Sequence, residues 1–141
     1  MTELGMQTFD IPWPPVAKGR PRVTLRAGKA HAYTPSGTRH GEAAIRYYLV
    51  SNGAKMYLPK VPLRVRLVFR CQRPISAPRR VVRPATRPDL DQMVKAALDS
   101  ATGVLWPDDA ALVEIVASKV YAEAGSSGSQ LLEVEPITDL A

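Results

Sequence analysis

The chain has one cysteine, no apolar run near 18 residues, and few aromatic rings: two Trp, two Phe and five Tyr among 141 residues. The lone Cys71 excludes an intrachain disulfide and a cysteine-rich zinc site, and it suits a reducing compartment. Without a long apolar run or a secretory leader pattern, the expectation is a soluble intracellular protein with no membrane partner. Scarce aromatics argue against recognition by a row of stacked rings and for backbone contacts by Arg and Lys. Acids are nearly missing from residues 1–88, where 17 Lys and Arg stand against Glu3, Asp10 and Glu42, a net of +14. Bases are nearly missing from residues 89–141, where Lys95 and Lys119 stand against ten acids, a net of −8. A chain that needs only solubility intersperses its signs. This separation predicts a basic surface for a polyanion beside an acidic pocket for cations, and nucleic acid satisfies both.

The length fits one domain over 1–141, with 1–6 and 136–141 as loose ends and enough exposed surface to favour an oligomer. Gln7 to Ile11 alternates polar and apolar until Pro12-Trp13-Pro14-Pro15 stops it, which predicts a first strand. Lys18 to Leu25 and Ala30 to Tyr33, around a turn at Arg26-Ala27-Gly28-Lys29, predict a hairpin lined by Lys18, Arg20, Arg22, Arg26 and Lys29. Ser36 or Thr38 caps a helix running to about Ser51, ended by Asn52-Gly53. His31 and His40 are isolated and read as exposed or structural rather than as ligands, although His31 in a basic hairpin could touch DNA.

Leu63 to Cys71 has the clearest period of two, with Leu63, Val65, Leu67, Phe69 and Cys71 on one face and Arg64, Arg66 and Arg70 on the other. No acid lies nearby in sequence, so these arginines are expected to track phosphates. Gln72 to Thr86 holds Pro74, Pro78 and Pro84 with Arg73, Arg79, Arg80 and Arg83. It can be neither helix nor central strand, and it reads as a loop delivering positive charge to the acidic segment that begins at Asp89. Leu112 to Tyr121 and Gln130 to Glu135 predict two strands joined as a hairpin through Gly125-Ser126-Ser127-Gly128-Ser129.

After the loop come Arg87-Pro88-Asp89-Leu90-Asp91, then Lys95 and Asp99, then Trp106-Pro107-Asp108-Asp109. Leu90, Met93, Val94, Ala97, Leu98 and Ala101 fall on one helical stripe, with Gly103 placed to end it. Asp91, Lys95 and Asp99 share the opposite face. Residues two apart on a helix point about 200° from each other, so Asp89 and Asp91 can share an ion only if Asp89 lies at the cap, before helical geometry begins. Crowded carboxylates repel unless a cation lies between them, and hard oxygen ligands suit Mg²⁺ or Mn²⁺. Taken singly, each piece also has a plain structural reading: Asp89 as a cap, Asp91 with Lys95 as an i, i+4 ion pair, Asp108-Asp109 as a turn.

Together, Arg-Pro-Asp-x-Asp, Lys95, Asp99 and aromatic-x-Asp-Asp, in this order, resemble the RusA family of Holliday junction resolvases. Ile11 to Pro15 with Lys18-Gly19-Arg20-Pro21-Arg22, and Tyr33-Thr34-Pro35, resemble that family's amino-terminal strand, basic loop and entry to the first helix. The resemblance spans roughly residues 7 to 121. It implies a compact α+β domain, a small mixed or antiparallel sheet with two main helices, forming a homodimer that cuts four-way or branched DNA with Mg²⁺, for which Mn²⁺ can substitute, in the cytoplasm of a bacterial or phage-infected cell. By position, Asp89, Asp91 and Asp109 resemble the family's metal-binding carboxylates and Lys95 its catalytic lysine, with Asp99 and Asp108 in supporting acidic positions. The ion would polarise a phosphate oxygen and activate water while Lys95 neutralises developing charge. Lys18, Arg20, Arg22, Arg64, Arg66, Arg70, Arg79, Arg80, Arg83 and Arg87 are the expected DNA contacts. Gln92 stands where the family usually has Asn, and the Lys18 to Arg22 segment is the phage-type variant. The alternatives are a catalytically idle junction-binding protein and a nuclease for other branched DNA.

Overall fold

In the computed structural model, residues 4–17, 22–26, 28–33 and 36–138 are described, with the backbone alone for 22–26, 29–33 and Ser36. Two turn-breaking signals and two periods explain most elements. The elements are β1 (Gln7–Ile11), β2 (Arg22–Arg26), β3 (Lys29–Tyr33), α1 (Ser36–Ser51), β4 (Leu63–Cys71), α2 (Leu90–Ala101), a short 3-10 helix (Asp109–Ala111), β5 (Leu112–Tyr121) and β6 (Gly128–Pro136). β2 and β3 pair antiparallel as the expected hairpin. The other four strands form one mixed sheet in the order β1-β6-β4-β5. The molecule is therefore an α+β domain with a four-stranded sheet and two main helices.

The period of two in β4 decides which side of the sheet is covered. Leu63, Val65, Leu67 and Phe69 are fully buried, and they join Phe9 and Ile11 of β1, Leu132 and Val134 of β6, Ile45 and Leu49 of α1, and Met93, Ala97 and Ala101 of α2. Both helices thus lie on one face. The opposite face carries the polar members of each strand, and no described helix covers it.

β4 and β5 run parallel, with Val65 beside Ile115 and Phe69 beside Lys119. Parallel neighbours need a long return path, and α2 supplies it. β6 then inserts on the other side of β4, antiparallel to it. The expected β5–β6 hairpin is thereby corrected: β4 lies between the two strands, and residues 122–127 cross its end. Glycine and serine suit a hairpin turn and a short straddling link equally well, which is why the sequence misleads here. The crossing is tight at Gly128, whose φ of 109° and backbone approach leave a hypothetical Cβ only 2.6 Å from the Arg70 carbonyl.

The described parts of the expected loose ends are also held. Pro136 pairs with Leu63, and the Ile137 N–H donates to Pro62 O. At the other terminus, the Tyr57 hydroxyl donates to Gly5 O at 2.6 Å. Residues 1–3 and 139–141 lie outside the described residues. No described helix is long and apolar enough to cross a membrane.

Candidate functional site

Asp89 is the N-cap of α2, with extended backbone (φ −73°, ψ 140°), while its carbonyl already accepts from Met93 N–H at 3.2 Å. It therefore sits where helical geometry has not begun. Its carboxylate makes no capping hydrogen bond, so the usual structural role of an N-cap Asp is not filled. Asp91 follows in the first turn and Lys95 one turn later, both exposed. Among the described residues the two form no ion pair within 4 Å, which removes the i, i+4 reading as well. Arg87, Pro88, Asp89 and Gln92 wall a cleft of about 670 Å³. An acid, an arginine and open space meet at this corner.

The path into the corner is fixed from β5. The Lys119 ammonium donates to Thr86 O (2.6 Å) and Pro88 O (2.9 Å), bracketing Arg87. The proline loop is fixed as well. Arg73 donates to Pro78 O (3.0 Å) and Val81 O (2.7 Å) and lies 4.7 Å over the Tyr121 ring, and Tyr121 N–H donates to Val82 O (2.8 Å). One arginine is thus committed to holding the loop, and Arg79, Arg80, Arg83 and Arg87 are left exposed on it.

Asp109 sits at the other end of α2. Its Oδ1 takes a close hydrogen bond from the Thr102 hydroxyl and lies 3.2 Å from the Trp106 indole nitrogen, which is also 3.0 Å from Thr102 Oγ1. Thr102 is the C-cap of α2, and Gly103 beyond it takes a left-handed φ of 86°. Trp106 is fully buried, so the donor that orients Asp109 is anchored in the core. Asp108 is occupied locally: its Oδ1 accepts from Ala110 N–H at 3.0 Å as the cap of the short helix. Asp99 lies in the last turn of α2, whose terminal carbonyls receive Arg46 from α1 (Nε to Ser100 O, 3.2 Å; Nη2 to Asp99 O, 3.0 Å).

These placements correct one expectation. From Asp89 to Thr102 is 13 residues, about 20 Å at 1.5 Å per residue. Asp109, tied to Thr102, therefore cannot share an ion with Asp89 and Asp91 of the same chain. In keeping with this, among the described residues no three His, Cys, Asp or Glu side chains gather to hold a metal. The donor chemistry at the helix start still fits a hard cation, because Asp89 offers an uncommitted carboxylate beside Asp91. Mg²⁺ is often held by one or two carboxylates completed by water and substrate phosphate.

A second correction concerns β4. The expectation that no acid neutralises its arginines fails, because Arg64 meets Glu114 (3.0 Å) and Glu135 (3.1 Å), Arg66 meets Glu133 (3.2 Å), and Arg70 meets Asp10 (2.8 Å). Glu114 first, then Glu135, raise the Arg64 pKa. Three arginines face four carboxylates, so this cluster offers no net attraction for a polyanion. Lys18 and Arg20 lie outside the described residues, and Arg22 is the first residue of β2. Sequence reasoning gave no role to Thr102 or Lys119, and it read Trp106 only as part of the acidic motif and Arg73 only as part of the loop's charge. Trp106, three residues before Asp109, and Lys119, one of two lysines in an acidic stretch, were the available signals.

Comparison with known proteins gives the class to which this fold belongs. The family model for endodeoxyribonuclease RusA matches residues 12–127. The chain belongs to the RusA family of endodeoxyribonucleases, a DNA-binding family of recombination nucleases whose members are generally dependent on divalent metal. It is also 31% identical, over 127 residues covering 82% of this chain and 87% of the relative, to a Bacillus subtilis (strain 168) protein named as the uncharacterized protein YqaN.

Proposed function

We propose that this protein is a Mg²⁺-dependent structure-specific endonuclease that resolves four-way DNA junctions by paired nicks, acting as a homodimer in the cytoplasm. The observation that carries the reading is Asp89: an N-cap carboxylate with no capping bond, next to Asp91 and opening on the cleft that Arg87 lines. Family membership supplies the reaction class.

A divalent ion held by Asp89 and Asp91 would supply Lewis-acid polarisation of the phosphate and an activated water. Lys95, one turn from Asp91, neutralises charge that develops on the phosphate, where a fixed cation is worth most. Arg87 binds a phosphate flanking the scissile one, and Arg79, Arg80 and Arg83 extend that track along the loop. Arg64, Arg66 and Arg70 contribute less, since a phosphate must first displace the carboxylates they already meet. Asp109, oriented by Trp106 and Thr102, can act beside Asp89 and Asp91 only when a second copy brings its own Asp109 to them. Two-fold pairing then creates two equal sites, matching the two-fold symmetry of a four-way junction.

The test maps nicks on all four strands of a labelled immobile junction and on linear duplex, with and without Mg²⁺. Symmetric nicks at the junction that require Mg²⁺ are expected. Tight binding without nicks would favour the idle binding module, which the lack of a ready three-carboxylate group among the described residues of one chain makes the second reading. Equal cutting of duplex would make the protein a general nuclease. Mixing Asp91→Asn with Asp109→Asn protein examines the shared site: each alone is inactive, and the mixed dimer regains one complete site. If mixtures stay inactive although subunits exchange, Asp109 does not act across copies.

A further inference from the structure

Sharing Arg87 and Pro88 with the Asp89 cleft is a second cavity, of about 290 Å³, that the proposed nuclease site does not use. We propose that it receives a single nucleobase, extruded from the DNA strand whose phosphate is held at the Arg87–Asp89 corner. The proposal rests on the nuclease reading and adds a base-recognition site to it.

Size sets the first limit. Small-molecule sites run from about 300 to 1,000 Å³, so this cavity has room for one nucleoside-sized group but for neither a duplex nor a folded peptide. Its walls set the second. Pro14, Pro15, Pro74, Pro84 and Pro88 present apolar pyrrolidine rings and no backbone N–H, a lining suited to the apolar faces of a base. The polar lining includes the Gln72 amide and the Ser127 hydroxyl, which offer both donors and acceptors to a base edge.

Charge and rigidity point the same way. Arg87 and Lys119 line the cavity and, among the described residues, no carboxylate does, so an anionic nucleotide is favoured over a cation. Arg87 and Pro88 belong to both hollows, so a base entering one remains joined to a phosphate in the other. The shared wall is braced by the bonds from Lys119 to Thr86 O and Pro88 O. The opposite wall is held by Gln130, whose amide donates to Trp13 O (3.3 Å) and Pro14 O (3.0 Å). A pocket braced on two sides before any ligand arrives selects shape at little reorganisation cost. Bases beside a branch point have lost stacking neighbours, and extrusion costs least where pairing and stacking are already weak.

The experiment uses full-length protein and four-way junctions carrying 2-aminopurine, one position at a time, around each nick. In parallel, a base bearing a short disulfide tether replaces each of those positions, because Cys71 lines the cavity and is the chain's single cysteine. Expected is a several-fold fluorescence rise at one position next to the nick, with cross-linking to Cys71 at that same position. Ser127→Phe, at an exposed site in the crossover, fills the mouth of the cavity. It should abolish both signals and flatten any dependence of nicking on base identity, while thermal melting stays unchanged. Quenched 2-aminopurine at every position on a junction that is bound and nicked would overturn the base pocket and leave the nuclease reading intact. Failure to bind or nick junctions at all would overturn both.

Discussion

At the residue scale, Asp89 shows how a position can be derived before it is seen. Residues two apart on a helix diverge by about 200°, so Asp89 must precede the helix to act with Asp91, and its extended backbone at the N-cap meets that requirement. Asp91→Asn should abolish nicking and leave junction binding equal or tighter, because a negative charge facing phosphate is removed; a gel-shift beside a nicking assay reads both. Equal loss of binding and nicking would count against a chemical role. Asp109 depends on a donor three residues before it, the Trp106 indole. Trp106→Phe keeps the ring in the core but removes the indole N–H, and a hydrogen bond to a charged group is worth about 1.5–3 kcal/mol. The expected outcome is a loss of roughly tenfold or more in nicking rate with junction affinity unchanged. Trp106→Ala should instead destabilise the fold by about 3–5 kcal/mol in urea titration. Burial raises the pKa of the Cys71 thiol, with Lys119 lowering it in part. The reactive form is the thiolate, so alkylation at pH 8 should be slower in the folded protein than in urea, and the gap should close as pH rises.

At the scale of elements, the legible ones were those whose signals are local. Pro88 and Gly103 bracket α2, and the period of two in β4 runs from Leu63 to Cys71, so both could be read from the chain. The partners of β4 could not. Arg66 finds Glu133 across 67 residues and Arg70 finds Asp10 across 60, and no short window contains such pairs. The same holds for β5 and β6, whose Gly-Ser link fits a hairpin as well as a crossing. The crossing predicts a cost the hairpin would not: Gly128→Ala must fit a Cβ against Arg70 O at positive φ, and should destabilise by about 1–3 kcal/mol in urea. The paired and unpaired arginines give a contrast in one assay. Arg79→Ala with Arg80→Ala should weaken junction binding and lower the slope of log affinity against log salt by about two. Arg64→Ala with Arg66→Ala should change that slope little. Equal changes would mean that the carboxylates on β5 and β6 give way to DNA.

At the scale of the molecule, the fold partly undoes the segregation of charge in the sequence. The order β6-β4-β5 lays Glu133, Glu135 and Glu114, all from the acidic stretch, onto arginines from the basic one. The sheet's outer face is thereby balanced, and Arg79, Arg80, Arg83 and Arg87 remain exposed on the proline loop that leads to Asp89. The net charge of the first 88 residues therefore foretold a basic surface but not which arginines would compose it. The relation of Asp109 to Asp89 was illegible for a different reason. Their spacing in sequence fits a return to the helix start as well as a stop at its end, and the contact with Thr102 selects the second.

That contact turns α2 into a measure of length. Its 12 residues separate one acidic end from the other by about 18 Å, and each added turn would lengthen the gap by about 5.4 Å. Insertions in the loops leave this distance alone, whereas an insertion within 90–101 changes it and rotates Asp91 relative to Asp109 as well. In the proposed dimer, the spacing of the two sites would then be a property of one helix, set by how many residues lie between Pro88 and Gly103.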